Sequence, residues 1–507
     1  MMQQVYCHKV VIIRRSAYSN HLCDRMEEIM IKFGTGGWRA VIGDEFTKAN
    51  IQKLSIGLAQ KMKDEGVAES GIVLGYDRRF LSKEAMKWAA EVFVAEGIKA
   101  YLINRSSPTP LIMYYVMKYE FHYGMMITAS HNPAIYNGVK VFTYGGRDAD
   151  EFQTLEIENY ILGVENQEIN IIEYDLALEQ QLVFEINPLN EYIDNIINEI
   201  NMKAIRDRGL RIALDPMYGV SETSLRTILL TARCDVSIIH DRHDTLFGGK
   251  LPSPSAHTLR SLQNYVLDRN CDLGIATDGD ADRIGVIDDN GKFLHPNDIL
   301  VLLYYYLVKY KGWRGSCVRN LATTHLLDKV AESFGEKCYE VPVGFKHIST
   351  KMNETNAVIG GESSGGLTVR GHIKGKDGVY AAVLLVEMIA VVGKKLSEIM
   401  EDIFDEYGCY YMEEKDYRFS MEKKNEILCT VMEDKLIPDI PFDIERISYL
   451  DGCKIYFANG GWVAVRFSGT EPLLRIFCEM PHAEEAIQVC AIYEEFLGLK
   501  KKIKVEI

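Results

Sequence analysis

Apolar runs of strand length recur along this chain, each followed by a loop of Gly, Asp, Ser or Asn and then an amphipathic stretch. Residues 72–74 run into Gly75-Tyr76-Asp77-Arg78-Arg79. A helix is then predicted with Ser82 as its N-cap, Met86, Ala89, Ala90, Phe93 and Val94 on one face, and Gly97 at its end. Gly124-Met125-Met126-Ile127 reads as a short buried strand leading into a turn at Asn132-Pro133, which leaves Ser130 exposed. Residues 211–214 lead into Asp215-Pro216-Met217-Tyr218-Gly219, and 273–276 into an aspartate loop. Residues 357–359 lead into Gly360-Gly361-Glu362-Ser363-Ser364-Gly365-Gly366. This alternation predicts α/β architecture with mainly parallel sheets. Ligands in such folds sit beyond the carboxyl ends of strands, where these loops lie.

After about residue 408 the pattern changes. Residues 454–457, a turn at Asn459-Gly460 and residues 462–467 read as a β-hairpin, and a helical pattern covers about 482–497. The tail is therefore expected to be a smaller α+β domain. At the other end, residues 1–29 lack a clear period, and patterned sequence begins at Met30-Ile31-Lys32-Phe33-Gly34. They are expected to be a dispensable extension.

Length and composition narrow the picture. A chain of 507 residues, 47% hydrophobic and 25% charged, can build three or four soluble domains. A net charge of −15 excludes nucleic acid and anionic membrane as main partners. An anionic substrate must then be held by local arginines and lysines. Eleven scattered cysteines without a C-x-x-C pair fit free thiols in a reducing, cytoplasmic setting. The apolar run at 380–392 is short and interrupted by Glu387, so it reads as a buried helix rather than a membrane span.

Four loops carry candidate chemistry. In Thr277-Asp278-Gly279-Asp280-Ala281-Asp282-Arg283, three alternating aspartates are placed to hold a divalent cation. An EF-hand fails twice, because Arg283 stands where Gly is required and Asp289 where a bidentate Glu is required. Three carboxylates with few other oxygens suit Mg²⁺, which takes octahedral oxygen ligands at roughly 2.0–2.1 Å and commonly a phosphate among them. Arg466-Phe467-Ser468-Gly469-Thr470-Glu471-Pro472, with Arg475, is either a phosphate cradle or a capped turn. Glu362 and Ser364 alternate acceptor and donor among glycines, a pattern able to bind sugar hydroxyls. His131 beside Ser130 invites a serine-hydrolase reading, but no G-x-S-x-G elbow surrounds the serine. A reactive serine together with a hard-metal loop points to phosphoryl transfer.

Together, T-A-S-H-N-P, D-G-D-A-D-R, G-G-E-S-S-G and R-F-S-G-T-E-P resemble, in order, the loops of the α-D-phosphohexomutase family, the phosphoglucomutases and phosphomannomutases. The resemblance runs from Met30 to the carboxyl terminus and looks closest to bacterial phosphoglucomutases. It implies four domains around a central cleft, three related mixed α/β units followed by a smaller α+β domain. The expected bounds are 30–185 with the phosphoserine loop, 186–292 with the metal loop, 293–407 with the sugar loop and 408–507 with the phosphate loop. By the resemblance, Ser130 carries a phosphoryl group, and Mg²⁺ is held by Ser130, Asp278, Asp280 and Asp282. Arg283 would neutralise phosphate charge, with hexose 1,6-bisphosphate as intermediate and activator. Arg466, Ser468, Gly469, Thr470 and Arg475 would hold the phosphate that is not reacting.

Arg39, Lys140 and His131 are the candidates for proton transfer, and a lysine base would need a lowered pKa. Lys346 and Lys376 are further substrate-binding candidates. Gly36 replaces a serine common in the family. By the resemblance, Gly366 stands where several bacterial members carry a histidine after the sugar loop, whose contact would be missing or supplied by a residue such as His347 or His372. Glu-x-Ser reads hydroxyls that glucose and mannose share, so the loop does not choose the sugar. Glucose is the expected substrate, with phosphomannomutase and phosphoglucosamine mutase as alternatives. A metal-dependent phosphatase and a non-catalytic sugar-phosphate sensor are readings of other classes. The oligomeric state, monomer or dimer, is open.

Overall fold

The computed structural model describes residues 31–499 apart from 35, 166 and 468–472. The predicted extension 1–29 and Ser468, Gly469 and Thr470 therefore lie outside the described residues. Among the described residues, four sheets follow one another along the chain. In the first, Tyr123–Ile127, Ile72–Tyr76, Ala100–Ile103 and Val183–Ile186 run parallel, and Tyr136–Thr143 returns antiparallel beside Tyr123–Ile127. In the second, Leu273–Thr277, Arg211–Asp215 and Asp235–Ile238 are parallel, and Ile284–Ile287 returns antiparallel. Phe293–Leu294, just past the expected bound at 292, pairs with Ile284–Ile287. The third sheet repeats the scheme with Cys338–Val341, Cys317–Asn320 and Ile359–Gly361, and Leu367–Val369 returning.

This shared topology positions the chemistry. In each of these three sheets a fully buried parallel strand ends in a loop, and the chain turns back beside it instead of crossing over. Ser130, the aspartates and Glu362 occupy those three equivalent turns. The fourth sheet, from Tyr411–Arg418 to Ile444–Ser448, is antiparallel throughout, and its hairpin Trp462–Phe467 and Leu473–Met480 brackets the fourth loop. The tail helix spans Ala483–Phe496, close to its predicted extent.

Two local expectations change. The helix after Ile72–Tyr76 spans Ser82–Ala95, but Ser82 is its first residue and not its cap. Leu81 takes the cap position with φ +64°, while the Ser82 hydroxyl donates to Asp77 Oδ1 at 2.7 Å. A buried carboxylate outcompeted the helix end for that hydroxyl. The third-sheet strand begins at Ile359 and includes the two glycines assigned to the loop.

The helix Gly378–Val392 is buried along most of its length, and its Glu387 is buried with it. That charge is paired: Lys311 Nζ lies 3.0 Å from each carboxylate oxygen, and the Asn201 N–H donates at 2.9 Å. Buried charges persist when satisfied in this way. Among the described residues no helix is long and apolar enough to cross a membrane. Between the third and fourth sheets, buried Lys454 donates to Leu321 O at 2.6 Å and Glu340 Oε2 at 2.8 Å, over the face of Trp462. His325 joins this seam, and burial beside the Arg319 and Lys454 charges pulls its pKa down to about 3.

Candidate functional site

Ser130 is buried, not exposed as its turn suggested. The aspartate loop of the second unit closes over it, and its hydroxyl donates to Asp278 Oδ2 at 2.7 Å. The turn itself holds Ser130 at φ +51°, a left-handed conformation uncommon for a residue with a side chain.

Asp278, Asp280 and Asp282 are all buried, and their ligand oxygens lie within 4.8 Å of one another. The loop is a turn, with Ala281 at φ +62° and its N–H donating to Asp278 O at 3.1 Å, and this fold brings all three to one point. Asp280 Oδ1 and Asp282 Oδ1 are buried without a hydrogen-bond partner, and an oxygen left so is costly unless a cation takes it. Burial, then the charges of Asp280 and Asp282, push Asp278 up to about 8, whereas against the same burial the Lys140 charge holds Asp280 and Asp282 below the ordinary carboxylate value. Three carboxylates at this spacing resist ionising together without added positive charge. The donor set therefore fits a hard divalent ion such as Mg²⁺.

Cations crowd the same centre. Lys140 Nζ lies 2.7 Å from both Asp280 Oδ2 and Asp282 Oδ2, and Lys376 Nζ lies 3.0 Å from Asp282 Oδ2. Arg283 Nε stands 3.7 Å from Asp282 and 4.0 Å from Asp278. Burial pulls the Lys140 pKa down, but the two carboxylates outweigh it and raise the pKa above the ordinary lysine value. The lowered value that a lysine base requires is not what this geometry produces. His131 Nδ1 lies 3.5 Å from Ser130 Oγ, and burial with Arg283 and Arg39 alongside holds its pKa well below the ordinary value. Arg39 donates to Asn132 Oδ1 at 2.6 Å, and burial followed by the Arg283 charge lowers it to about 10.

Sequence reasoning missed Thr109. Its hydroxyl donates to Asp280 Oδ2 at 2.6 Å and its N–H to the Asp280 carbonyl at 2.9 Å, orienting this aspartate from outside its own loop. The partner lies 171 positions away. Ser107-Pro108-Thr109-Pro110 gives no local clue beyond two prolines.

The sugar-loop candidates come together. Glu362 Oε1 accepts from Asn320 Nδ2 at 3.4 Å and the Gly344 N–H at 3.2 Å, and Oε2 accepts from Ser364 at 3.3 Å. The loop abuts the metal loop, because the Ile284 N–H donates to Gly365 O at 3.1 Å. Gly366 leaves room for a lysine: a Cβ there would lie 2.2 Å from Lys376 Cδ. Lys376 therefore threads the space that a side chain at 366 would fill. His372 does not supply the missing contact. It is buried against Asp377, 2.7 Å from Oδ2, where a carboxylate also caps the helix Gly378–Val392. Lys346 reaches Glu151 at 3.7 Å.

At the fourth loop, Arg466 and Arg475 are paired across adjacent strands. Arg466 Nε lies 2.8 Å from Asp451 Oδ2, and Arg475 Nε lies 3.2 Å from Asp416 Oδ1 in an open setting.

Phosphoglucomutase/phosphomannomutase models match four segments in order: alpha/beta/alpha domain I over 30–168, domain II over 190–291, domain III over 295–407 and the C-terminal domain over 426–494. The chain is 29% identical over 455 residues to a phosphoglucomutase/phosphomannomutase of Thermococcus kodakarensis, covering 90% of this chain and 95% of that one. It is 30% identical over 454 residues to a probable phosphoglucosamine mutase of Methanobrevibacter smithii, with the same coverage of 90% and 95%. In structure it is similar to a putative phosphomannomutase from Thermus thermophilus, with TM-score 0.80 and 27% identity over 92% of this chain and 99% of that one.

Proposed function

This chain belongs to the phosphoglucomutase/phosphomannomutase family, a family of isomerase-type mutases, and from that premise we propose its reaction. It moves a phosphoryl group reversibly between hexose 1-phosphate and hexose 6-phosphate, with α-D-glucose as the sugar. The observation that carries this reading is the Ser130 hydroxyl bonded at 2.7 Å to one of three convergent buried aspartates.

In the proposed cycle, Ser130 enters as a phosphoserine. The bond from phosphorus to Ser130 Oγ breaks as a bond to the free hexose hydroxyl forms, and the proton that hydroxyl gives up ends on Ser130 Oγ. The product is hexose 1,6-bisphosphate, which turns over in the cleft and returns its other phosphoryl group to Ser130. Asp278, Asp280 and Asp282, with a phosphoryl oxygen on Ser130, would hold Mg²⁺. The ion would neutralise charge on the transferring group and align it. Lys140, Lys376 and Arg283 supply further positive charge, and catalysis is chiefly positioning and electrostatics. Of Arg39, Lys140 and His131, the two cationic side chains hold their protons, and the His131 ring is neutral, with burial and the Arg283 and Arg39 charges opposing its protonation. Arg466, Ser468, Gly469, Thr470 and Arg475 would grip the distal phosphate, and Glu362 and Ser364 the sugar, with Lys346 as a further contact. The proposed units are 30–185, 186–292, 293–407 and 408–507, each carrying one of these loops.

A second sugar reading rests on the relatives. One similar protein is named a probable phosphoglucosamine mutase, and a 27% identical protein of Sulfurisphaera tokodaii a phosphoglucosamine/phosphogalactosamine mutase. Isomerisation of glucose, mannose and glucosamine 1-phosphates, measured side by side, decides between them, with the highest kcat/KM expected for glucose. Ser130→Ala tests the reaction itself. Mutase activity should fall by at least about 10⁴-fold while sugar-phosphate binding persists. Isomerisation at the wild-type rate would refute the phosphoserine route.

A further inference from the structure

The Ser130 turn is shaped by a residue outside it. Arg79, 3% exposed, follows the strand Ile72–Tyr76 next to the one that ends at Ile127. Its guanidinium makes four hydrogen bonds to main-chain carbonyls of the turn. Nη2 donates to Ser130 O and Asn132 O at 2.7 Å each, and Nη1 to Pro133 O at 2.9 Å and Tyr136 O at 3.0 Å. The remaining edge faces Asp77, with Nε 3.3 Å from Oδ2, and the plane lies over Phe247 of the second unit, 4.8 Å from the ring centre.

Asp77 completes the hold from the other side. Its Oδ2 accepts from the Thr128 hydroxyl at 2.7 Å, and Thr128 Oγ1 in turn accepts the Ser130 N–H at 2.8 Å. One ion pair thus fixes both the amide and the carbonyl of Ser130. The carbonyl has little room to escape, since a Cβ on Gly279 of the aspartate loop would lie 2.7 Å from it.

We propose that Arg79 is the positioning residue of this enzyme. With Asp77 and Thr128 it clamps the Ser130 turn in the left-handed shape that aims Oγ at the aspartates. The inference rests on the reading of Ser130 as phosphoryl carrier. Only the planar guanidinium fork can span four separated carbonyls, because a lysine carries its three donors on one atom. The Arg79 guanidinium is engaged by main-chain carbonyls and Asp77, so its loss acts on the alignment of the reacting oxygen and spares ground-state binding.

Two variants test this beside Ser130→Ala: Arg79→Lys, and Thr128→Val, which frees the Ser130 amide while leaving the guanidinium in place. The readouts are kcat and KM for the hexose 1-phosphate, the single-turnover rate of phosphoryl loss from Ser130, and near-ultraviolet circular dichroism. For Arg79→Lys, kcat and the single-turnover rate should each fall by about 100-fold, and for Thr128→Val by about tenfold, with KM within about twofold of wild type. A folded variant of either kind with wild-type kcat overturns the clamp. So does a loss confined to KM. Should Arg79→Lys fail to fold, Thr128→Val decides alone by the same criteria. Activity surviving in Ser130→Ala would overturn the phosphoserine reading and the clamp with it. An inactive Ser130→Ala beside a fully active Thr128→Val would overturn the clamp only.

Discussion

The two ends of the proposed site are built in opposite ways. At the Ser130 end the serine, three aspartates and Lys140 are all buried, and side chains from the first, second and third units converge on one point. At the other end, the Arg475 side chain is 45% exposed, while Arg466 is 14% exposed and anchored by one carboxylate, Asp451. A reacting centre benefits from dense, preorganised charge in a poorly solvated place, where electrostatic stabilisation is strongest. A holding site that must release one phosphate and accept another benefits from being open and solvated. Under the proposed cycle, the intermediate exchanges its phosphates between the two ends. The contrast therefore suits a group that turns over without leaving.

If the contrast is real, equivalent damage at the two ends should look different. Asp280→Asn preserves shape but removes one charge from the buried triad. It should cost on the order of 10³-fold in kcat and weaken Mg²⁺ binding measured by calorimetry. A kcat near wild type would show that the triad is not the reacting centre. Arg466→Gln should instead raise KM by about tenfold or more with a smaller change in kcat, since a charged hydrogen bond to the held phosphate contributes about 1.5–3 kcal/mol. An unchanged KM would remove Arg466 from the phosphate grip.

The smallest effect concerns the seam that carries the open end. Burial depresses the His325 pKa to about 3 in the folded state, below the ordinary value near 6.5. Above about pH 6.5 the ring is neutral in both states and the group is indifferent to pH. As pH falls from there toward 3, the unfolded chain binds a proton that the folded chain refuses, and stability declines. The Tm of the wild type should therefore drop more between pH 7 and pH 5 than that of His325→Gln, by a few degrees in a thermal scan. Equal slopes would mean that the seam tolerates the charge.

The architecture was readable because parallel strands buried on both faces appear as continuous apolar runs, and their functional loops punctuate them with Gly, Asp and Ser. Ser130, the aspartates and Glu362 stood out for that reason. Their meeting did not, because Ser130 and Asp278 are 148 positions apart. Nothing near Ser130 reveals that a loop from another unit buries it. The roles of Arg79 and Thr109 were hidden for a related reason. Arg79 acts on main-chain carbonyls 51 to 57 residues away, and carbonyls carry no residue identity. His372 misled because a histidine near a sugar loop attracts a ligand role, whereas its buried partner Asp377 lies on the side facing the helix Gly378–Val392. The glycine at 366 became interpretable only once Lys376 was seen to occupy the space beside it.

The central claim is that Ser130 carries the phosphoryl group between the two ends. Its most direct test is mass spectrometry with peptide mapping on enzyme treated with hexose 1,6-bisphosphate and then chased with excess hexose monophosphate. With isotopically labelled phosphoryl groups on the bisphosphate, the account predicts one labelled phosphoryl group on the peptide containing Ser130, replaced in the chase by an unlabelled one as the label passes into the hexose phosphates. Isomerisation that proceeds with Ser130 unmodified throughout would contradict it.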